Sequence, residues 1–439
     1  MGAICIDING ARLNPPPPQQ GNATHPPPQR AAAAANDDSP FEPDEVLVEI
    51  SGQTAQQIAN RLINAFGLVT LSQTRLNVLG TSLFRFRIPP SRTVEDVVAL
   101  LALEPGVTTS QPNWRYRLND GAAAPLPPAA QMPAITPERT TLPQYALDLI
   151  EARKAHELAR GTNILIAVID TGIEGAHPEI AGAIAGQFNT FPSQTIVPDT
   201  HATAIASIIT AKQNLSGVAP GARILSVQAF TSTSEKSASA NVAEETSEKH
   251  GGGKGTSHRV IAGLDWSLMK GAHIVNMSFS GPSLDALAGK LIERGRQSGV
   301  IFIAAAGNGG HSAPPAFPAA DPAVIAVTAI DARKNLYVHA NVGPYIDVAA
   351  PGVDVMAAAT GATYDLASGT SFAAAHVSAV AALILEKSPG MSQDQFIKRL
   401  KESSLDLGPT GDDDQFGAGC INALRALLGL AVQTSGSRQ

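Results

Sequence analysis

Short apolar runs that alternate with helical patterns dominate the chain from residue 164 onward. Each run is the length of a single strand and has no polar alternation, which is typical of strands buried on both faces. Strands that alternate with helices in this way form a parallel sheet with helices on both faces. We therefore predict a doubly wound, mostly parallel α/β fold. The runs are Ile164–Ile169, Ile224–Val227, Ile274–Met277, Val300–Ala304 and Val324–Val327, and the helices are Val260–Met269, Leu284–Arg296 and Phe372–Glu386.

A different pattern, β-α-β-β-α-β, precedes this region and occupies residues 41–118. This order of elements is typical of a small ferredoxin-like α+β unit. Its predicted elements are an alternating strand with Val46, Val48 and Ile50, a helix from Thr54 to Phe66, a strand pair through Val69 and Leu83–Ile88, a helix from Val94 to Leu103, and a strand near Val107.

Proline- and alanine-rich stretches separate these units. Residues 1–40 contain the clusters Pro15–Pro18 and Pro26–Pro28 and an alanine run, a composition that cannot bury enough surface to fold. Residues 119–143 have a similar composition and are predicted to be a linker. The resulting organisation is a disordered arm over 1–40, the small unit over 41–118, the linker over 119–143, the α/β domain over 144–430, and a disordered tail over 431–439.

Composition excludes several classes of function. The net charge of −7 offers no electrostatic footprint for nucleic acid, so we expect no nucleic-acid partner. No uncharged apolar run is long enough for a membrane span. The two cysteines, Cys5 and Cys420, cannot build a disulfide framework or a cysteine-ligated zinc site. Residues 1–14 lack the pattern of a secretory signal, so either the chain is intracellular or its signal is missing from this sequence.

Four polar residues lie at positions where the α/β pattern predicts one shared edge. In an open parallel sheet, functional groups gather at the carboxyl ends of the strands. The four are Asp170 at the end of ILIAVID, His201 at the head of an apolar helical stretch, Asn308 after VIFIAAAGN, and Ser371 at the start of a strongly apolar helix.

These residue types together suit nucleophilic catalysis. A serine hydroxyl becomes a nucleophile when a histidine takes its proton, and a buried carboxylate fixes the tautomer of that histidine. An asparagine amide can donate to the oxyanion that develops. Each residue taken singly also has a plain structural reading. Asp170 and Ser371 could cap helices, His201 could be a structural histidine, and Asn308 could be a turn residue.

At these residues the sequence resembles the subtilisin-like serine proteases, the subtilase family. The resemblance spans roughly Tyr145 to Leu428 and keeps the family's order of aspartate, histidine and serine. The matching blocks are AVIDTGIEGAHPEI, VAPGARILSV, IVNMSFSGPS, AAAGNGG, FPAADPAVIAVTAID and SGTSFAAAHVSAVAALIL.

The resemblance implies a serine endopeptidase that hydrolyses polypeptides through a triad and an acyl-enzyme. It also implies that residues 41–118 are an inhibitory prosegment whose tail fills the cleft of an autoprocessing zymogen, with cleavage between about Tyr116 and Ala122. The family's usual compartment would make the protein secreted or periplasmic. The alternative is a catalytically silent fold that binds peptides, because Ala202, Ala204, Ala374 and Ala375 depart from the family pattern.

The resemblance further implies a cleft in which the substrate adds a strand between two enzyme segments. No acidic residue falls in the primary-pocket segments, which favours apolar side chains over Arg or Lys there. The expected substrate-binding residues are Gly255, Thr256 and Ser257 on one side, Ser278, Phe279 and Ser280 on the other, and Ala305, Ala306, Gly307 and Ala316 around the primary pocket.

No metal ligand or cofactor is predicted. The family's frequent calcium loop lies between the histidine helix and the VAPGARILSV block, where this chain has only Lys212–Ser216. That loop is too short for the usual ring of carbonyl ligands, so a calcium requirement is the open alternative and not the expectation.

Overall fold

The N-terminal unit is an antiparallel sheet with two helices on one face. In this computed structural model, which describes residues 39–119, 142–191, 195–232, 253–281 and 285–432, the unit has the element order predicted from the sequence. The strands lie in the order β4-β1-β3-β2. The elements are β1 (Phe41–Ser51), α1 (Ala55–Phe66), β2 (Val69–Leu76), β3 (Thr81–Arg87), α2 (Val94–Leu101) and β4 (Val107–Leu118).

Strand β1 is buried on both of its faces. Val46, Val48 and Ile50 point into the core that the sheet shares with its own helices. Leu47, on the opposite face, belongs to a second core that also contains residues of the α/β domain. An alternating pattern predicts one buried face. The second face is buried because the sheet docks on the α/β domain.

The α/β domain is built on a seven-stranded parallel sheet in the order β13-β12-β11-β9-β5-β7-β6. All five predicted strands are present, which confirms the parallel sheet. The strands of the domain are β5 (Leu165–Asp170), β6 (Ile184–Asn189), β7 (Arg223–Gln228), β8 (Lys254–Thr256), β9 (Ile274–Met277), β10 (Phe279–Ser280), β11 (Ile301–Ala305), β12 (Ile325–Ile330), β13 (Val348–Pro351), β14 (Val355–Ala359) and β15 (Thr363–Ala367).

Helices cover both faces of this sheet. Ile166 and Val168 of β5 pack in one core, and Ala167 and Ile169 pack in the other. The first core holds α5, α8 and α10, and the second holds α6 and α7. The helices are α3 (Tyr145–Leu149), α4 (Ala152–Ala155), α5 (Thr200–Thr210), α6 (Ser257–Met269), α7 (Ala286–Gln297), α8 (Thr370–Lys387), α9 (Gln393–Ser403) and α10 (Ala423–Leu428).

Strand β4 joins the two units. Its C-terminal end leaves the N-terminal sheet and lies between β8 and β10, antiparallel to both. Pro112 lies next to a register shift between β1 and β4, a position where a residue without an N–H is tolerated. The described residues from Pro40 onward thus form one compact unit. Parts of three predicted segments lie outside the described residues. These are residues 1–38 of the arm, residues 120–141 of the linker and residues 433–439 of the tail.

Candidate active site

Asp170 is the last residue of β5, at the carboxyl edge of the parallel sheet. It is fully buried, and its Oδ1 accepts hydrogen bonds from the backbone N–H of Thr171 at 2.7 Å and from the Thr171 hydroxyl at 3.1 Å. A buried carboxylate needs such donors because it has lost its hydration. They hold Oδ1 in place at the end of the strand.

His201 lies in the first turn of α5 and contacts this carboxylate. Its Nδ1 is 2.8 Å from Asp170 Oδ1. Asp199 is the N-cap of α5, and its side chain accepts a hydrogen bond from the backbone N–H of His201 at 2.9 Å. An Nδ1–H that donates to a carboxylate leaves Nε2 as the basic nitrogen of a neutral imidazole. The pair therefore has the arrangement that a general base requires.

Ser371 lies in the first turn of α8, directly before Phe372, whose ring packs against that of the histidine. The rings of His201 and Phe372 are 5.5 Å apart, which brings the start of α8 beside the start of α5. Ala374 and Ala375, which depart from the family pattern, lie inside α8 and are buried, and α8 begins at Thr370 despite them. Ala202 lies in α5 with a helical backbone, so its methyl group needs no positive φ.

Asn308 follows β11 and bridges the start of α8 to the tail of the N-terminal unit. Its Oδ1 accepts hydrogen bonds from the backbone N–H of Thr370 at 3.1 Å and from the Thr370 hydroxyl at 3.0 Å. Its Nδ2 donates to the carbonyl oxygen of Asn119 at 2.6 Å. These partners fix the orientation of the amide, with its nitrogen toward the Asn119 carbonyl and its oxygen toward Thr370.

The carbonyl of Asn119 is the point where these groups meet. Ser371 Oγ lies 3.0 Å from the Asn119 oxygen and 3.3 Å from the carbonyl oxygen of Ser278. The backbone N–H of Asn119 donates to that same Ser278 oxygen at 3.2 Å. Asn119 is thus held at its N–H and at its carbonyl, with a serine hydroxyl and an amide donor on the carbonyl oxygen.

The residues before Asn119 form a strand that lies between two segments of the α/β domain. Tyr116 pairs with Gly255, and Leu118 pairs with Phe279. The Leu118 N–H also donates to the carbonyl of Gly253 at 3.1 Å. Of the other expected residues in these segments, Thr256 pairs with Arg115, Ser280 pairs with Arg117, and Ser257 donates its hydroxyl to Asp285.

The side chain of Asn119 contacts two of the residues expected to bind substrate, Ser280 and Ala305. Ser280 Oγ donates to Asn119 Oδ1 at 2.6 Å, and Asn119 Nδ2 donates to the Ala305 carbonyl at 3.4 Å. The occupant is polar, whereas the sequence favoured apolar side chains. The other expected pocket residues are buried nearby. Ala306 accepts from the hydroxyl of Tyr345, Gly307 donates its N–H to Thr370 Oγ1, and Ala316 is 8% exposed.

The short loop expected to replace the calcium loop binds a carboxylate of the protein. Backbone N–H groups of residues 212–215 donate to Glu179 at 2.8–3.2 Å. The loop therefore directs donors inward, which suits an anion and not a cation. Within the described ranges there is no group of three acidic, histidine or cysteine side chains that could hold a metal ion.

Comparison with known proteins agrees with this geometry. The model of the subtilase family matches residues 161–419. The chain belongs to the subtilase family. This subtilase is 32% identical over 285 residues to subtilisin DY of Bacillus licheniformis, a match that covers 63% of this chain and 96% of that one. It is 31% identical over 292 residues to subtilisin E of Bacillus subtilis, covering 64% of this chain and 70% of that one.

A solved structure has the same fold. Fervidolysin of Fervidobacterium pennivorans, described as a keratinolytic enzyme related to subtilisin, superposes with a TM-score of 0.72 at 23% identity. The match covers 91% of this chain and 63% of the fervidolysin chain. The subtilisin-like fold is thereby confirmed. The family match and the similarity to the subtilisins make this subtilase a subtilisin-like serine endopeptidase, whose substrates are polypeptides.

Three residues of the site were not identified from the sequence. Asn119 was assigned to the linker, Gly253 lies just outside the expected segment, and Asp285 fell inside the predicted helix Leu284–Arg296. Asp285 does cap α7, since it accepts from the N–H of Ala288 at 3.0 Å. The motif IVNMSFSGPS ends two residues before Asp285 and was the nearest available signal.

No helix in the described part of the chain is long and apolar enough to cross a bilayer.

Proposed function

We propose that this subtilase hydrolyses peptide bonds with Ser371 as nucleophile, His201 as general base and Asp170 as the carboxylate that orients the histidine. Asn308 supplies an oxyanion donor. We further propose that the protein is made as a zymogen that cuts its own chain after Asn119. The observation that carries both proposals is the Asn119 carbonyl oxygen, which lies within hydrogen-bond distance of Ser371 Oγ and Asn308 Nδ2.

In the proposed reaction these residues act in turn. His201 takes the proton of Ser371 as Oγ bonds to the carbonyl carbon of Asn119, and Asp170 stabilises the imidazolium. The carbonyl oxygen takes up negative charge, which the Asn308 amide stabilises as it forms. The imidazolium then protonates the amine of Asp120, the Asn119–Asp120 bond breaks, and water hydrolyses the acyl-enzyme by the same proton relay.

The domain boundaries follow the same reasoning. We assign residues 41–119 to the prosegment, one residue beyond the sequence boundary, because Asn119 pairs with Ser278 in the cleft. The catalytic domain starts near residue 144. The prosegment tail uses main-chain pairing on both sides, as a substrate strand would, so it also blocks the cleft against other polypeptides.

The processing proposal is tested by N-terminal sequencing of the purified protein. The wild type is expected to yield a chain that begins at Asp120 or, after trimming, further downstream. The Ser371→Ala protein is expected to stay full length, and the exposed control Ser298→Ala is expected to process as the wild type does. An intact wild-type chain, or a cut Ser371→Ala chain, would contradict self-cleavage by Ser371.

The rival function is a silent subtilase fold that only binds peptides, which the four alanines near the histidine and serine motivate. A fluorophosphonate probe separates the two, because it reacts only with an activated serine. We expect Ser371 of the processed protein to be labelled and Ser371→Ala to remain unlabelled. A folded wild-type chain that stays uncut and takes no label would favour the silent fold.

A further inference from the structure

The primary pocket matches a carboxamide at both of its polar ends. The side chain of Asn119 receives a hydrogen bond from Ser280 Oγ at its oxygen and donates one to the Ala305 carbonyl from its nitrogen. Asn119 is only 4% exposed, so water contributes little to satisfying these groups. The pocket therefore offers one donor, the Ser280 hydroxyl, to the carboxamide oxygen and one acceptor, the Ala305 carbonyl, to the carboxamide nitrogen.

An aspartate or a leucine would fit this pocket poorly. Aspartate has the same shape as asparagine, but its second oxygen would face the lone pairs of the Ala305 carbonyl, and its charge would be buried without a cation. Leucine would leave the Ser280 hydroxyl and the Ala305 carbonyl without their partner. A site built to hydrogen-bond a substrate group rejects analogues that lack the group.

A second polar anchor lies three residues upstream, at Tyr116. This side chain is 1% exposed, and its ring packs on Phe279 with the ring centroids 5.4 Å apart. Its hydroxyl donates to Asp285 Oδ2 at 3.2 Å. Burial, and secondarily the charge of Asp285, raise the pKa of Tyr116 well above its usual value, so the phenol keeps its proton.

The pocket around Tyr116 is shaped for a ring. Gly281 lies against it, and a methyl group at Gly281 would come within 2.7 Å of the ring carbons. Asp285, fully buried at the end of this pocket, also accepts hydrogen bonds from Ser257 and Gln111. The carboxylate is therefore fixed in position and faces the place where the phenol hydroxyl arrives. Arg117, between the two anchors, is exposed.

We propose that this subtilase cleaves polypeptides after an asparagine that follows a tyrosine by three residues. Ser280 and the Ala305 carbonyl recognise the asparagine, and Asp285 recognises the tyrosine hydroxyl. The inference rests on the proposed function, because it takes the bond after Asn119 as the scissile one. It goes beyond that function by defining a class of substrate.

Quenched fluorescent peptides copied from residues 115–122 test the proposal with the processed wild-type enzyme. The series contains the native peptide and its Asn119→Asp, Asn119→Leu and Tyr116→Phe forms. We expect kcat/KM to fall about 10²-fold or more for the aspartate and leucine peptides and about tenfold for the phenylalanine peptide. Asn119→Asp and Tyr116→Phe are matched controls because each changes chemistry with almost no change in shape.

Variants of the enzyme provide a second test. Ser280→Gly removes the hydroxyl, so the preference for the asparagine over the leucine peptide is expected to fall about tenfold or more. Asp285→Asn is expected to reduce the preference for tyrosine over phenylalanine. Asp285 also caps α7, so this variant can fail to fold. In that case the Tyr116→Phe peptide with wild-type enzyme still decides the point.

The outcomes separate this inference from the proposed function. If the enzyme cuts casein and the leucine and aspartate peptides as fast as the native peptide, the specificity is wrong and the proposed function stands. If no peptide and no casein is cut by the folded wild-type protein, the proposed function itself is wrong. Native-peptide cleavage at a bond other than Asn119–Asp120 would also overturn the specificity.

Discussion

The proposed prosegment, residues 41–119, contacts the catalytic domain through two regions that are held by different means. The tail, Arg115–Asn119, adds a strand between β8 and β10 and ends at Ser371. The body, the four-stranded sheet, docks on α6 and α7 through side chains. Main-chain pairing places the Asn119 carbonyl beside Ser371, whereas the side-chain contacts of the body lie away from Ser371.

The body supplies acceptors for backbone N–H groups at the starts of both helices. Thr256, the N-cap of α6, makes no side-chain cap, and Asn113 Oδ1 instead accepts the N–H of His258 at 3.2 Å. At α7, Gln111 Oε1 accepts the N–H of Leu287 at 3.1 Å. Free N–H groups at a helix start need acceptors, and here they come from the prosegment. Because the body has contacts of its own, we expect it to stay bound after the tail is cut.

The largest expected effect comes from variants that stop the proposed cleavage after Asn119 and leave the contacts of the body unchanged. Ser371→Ala, His201→Ala and Asp170→Asn should each lower kcat by about 10⁴-fold or more, because the three groups act as a unit. Peptide hydrolysis by wild-type and variant chains produced from Asp120 onward measures this, with circular dichroism as the folding control. A serine variant that keeps more than about a tenth of wild-type kcat would remove Ser371 from its role.

Next in size is the loss of the oxyanion donor. Asn308→Ala should lower kcat by about 10²- to 10³-fold with little change in KM, the loss found for one oxyanion donor of a subtilisin. The reason is that the amide gains strength only as charge develops on the carbonyl oxygen. Steady-state kinetics with Asn335→Ala, an exposed residue, as control would check it. An unchanged kcat would exclude Asn308 from this role.

Acid should weaken the body contact through His258. Its ring lies 3.3 Å from Arg85 and from Asn113 of the prosegment and 2.9 Å from Thr256 Oγ1. Burial, with the charges of Arg85 and Arg259, lowers the pKa of His258 to about 2. Glu45, which binds Arg85 and Asn113, is the acidic group facing this cluster.

The difference between the pKa of His258 in the complex and in the separated protein decides the direction of this pH effect. His258 is neutral in the complex but should titrate near 6.5 once the prosegment leaves, so protonation favours the separated state. Inhibition by residues 41–119 made as a separate chain should therefore be full above pH 6.5 and weaken roughly 25-fold between pH 7 and pH 5. The His258→Gln variant should flatten this dependence and the exposed His311→Gln should not. Equal slopes for all three would exclude His258.

The smallest effect concerns one polar contact of the body. Asp265 in α6 accepts the N–H of Val78 at 2.9 Å and the amide of Asn77 at 3.2 Å. Asp265→Ala should weaken inhibition by the separate prosegment about tenfold, because two hydrogen bonds to a buried carboxylate are lost. Peptide hydrolysis without prosegment should be unchanged, with the exposed Asp365→Ala as the matched control. An unaltered inhibition constant would mean that this contact adds nothing to docking.

Much of the fold could be predicted because its signals are local. The apolar runs became β5, β7, β9, β11 and β12, since fully buried parallel strands need no polar alternation. Two of the missed strands, β6 and β15, lack that signal. β6, at the sheet edge, carries partly exposed residues throughout, and β15 of the hairpin is largely exposed. Their residues read as loop because little of them is buried.

The sequence by itself determined the order of elements and the four polar residues, because each follows a strand or opens a helix at the sheet's carboxyl edge. Only the tertiary structure decided what those residues meet. Tyr116 and Asp285 lie 169 positions apart, and Ser371 and Asn119 lie 252 apart, so no local pattern links them. Likewise, β1 has two buried faces only because a second domain covers one of them. Contacts of this kind depend on how separately folded surfaces meet, which strand and helix periodicity does not encode.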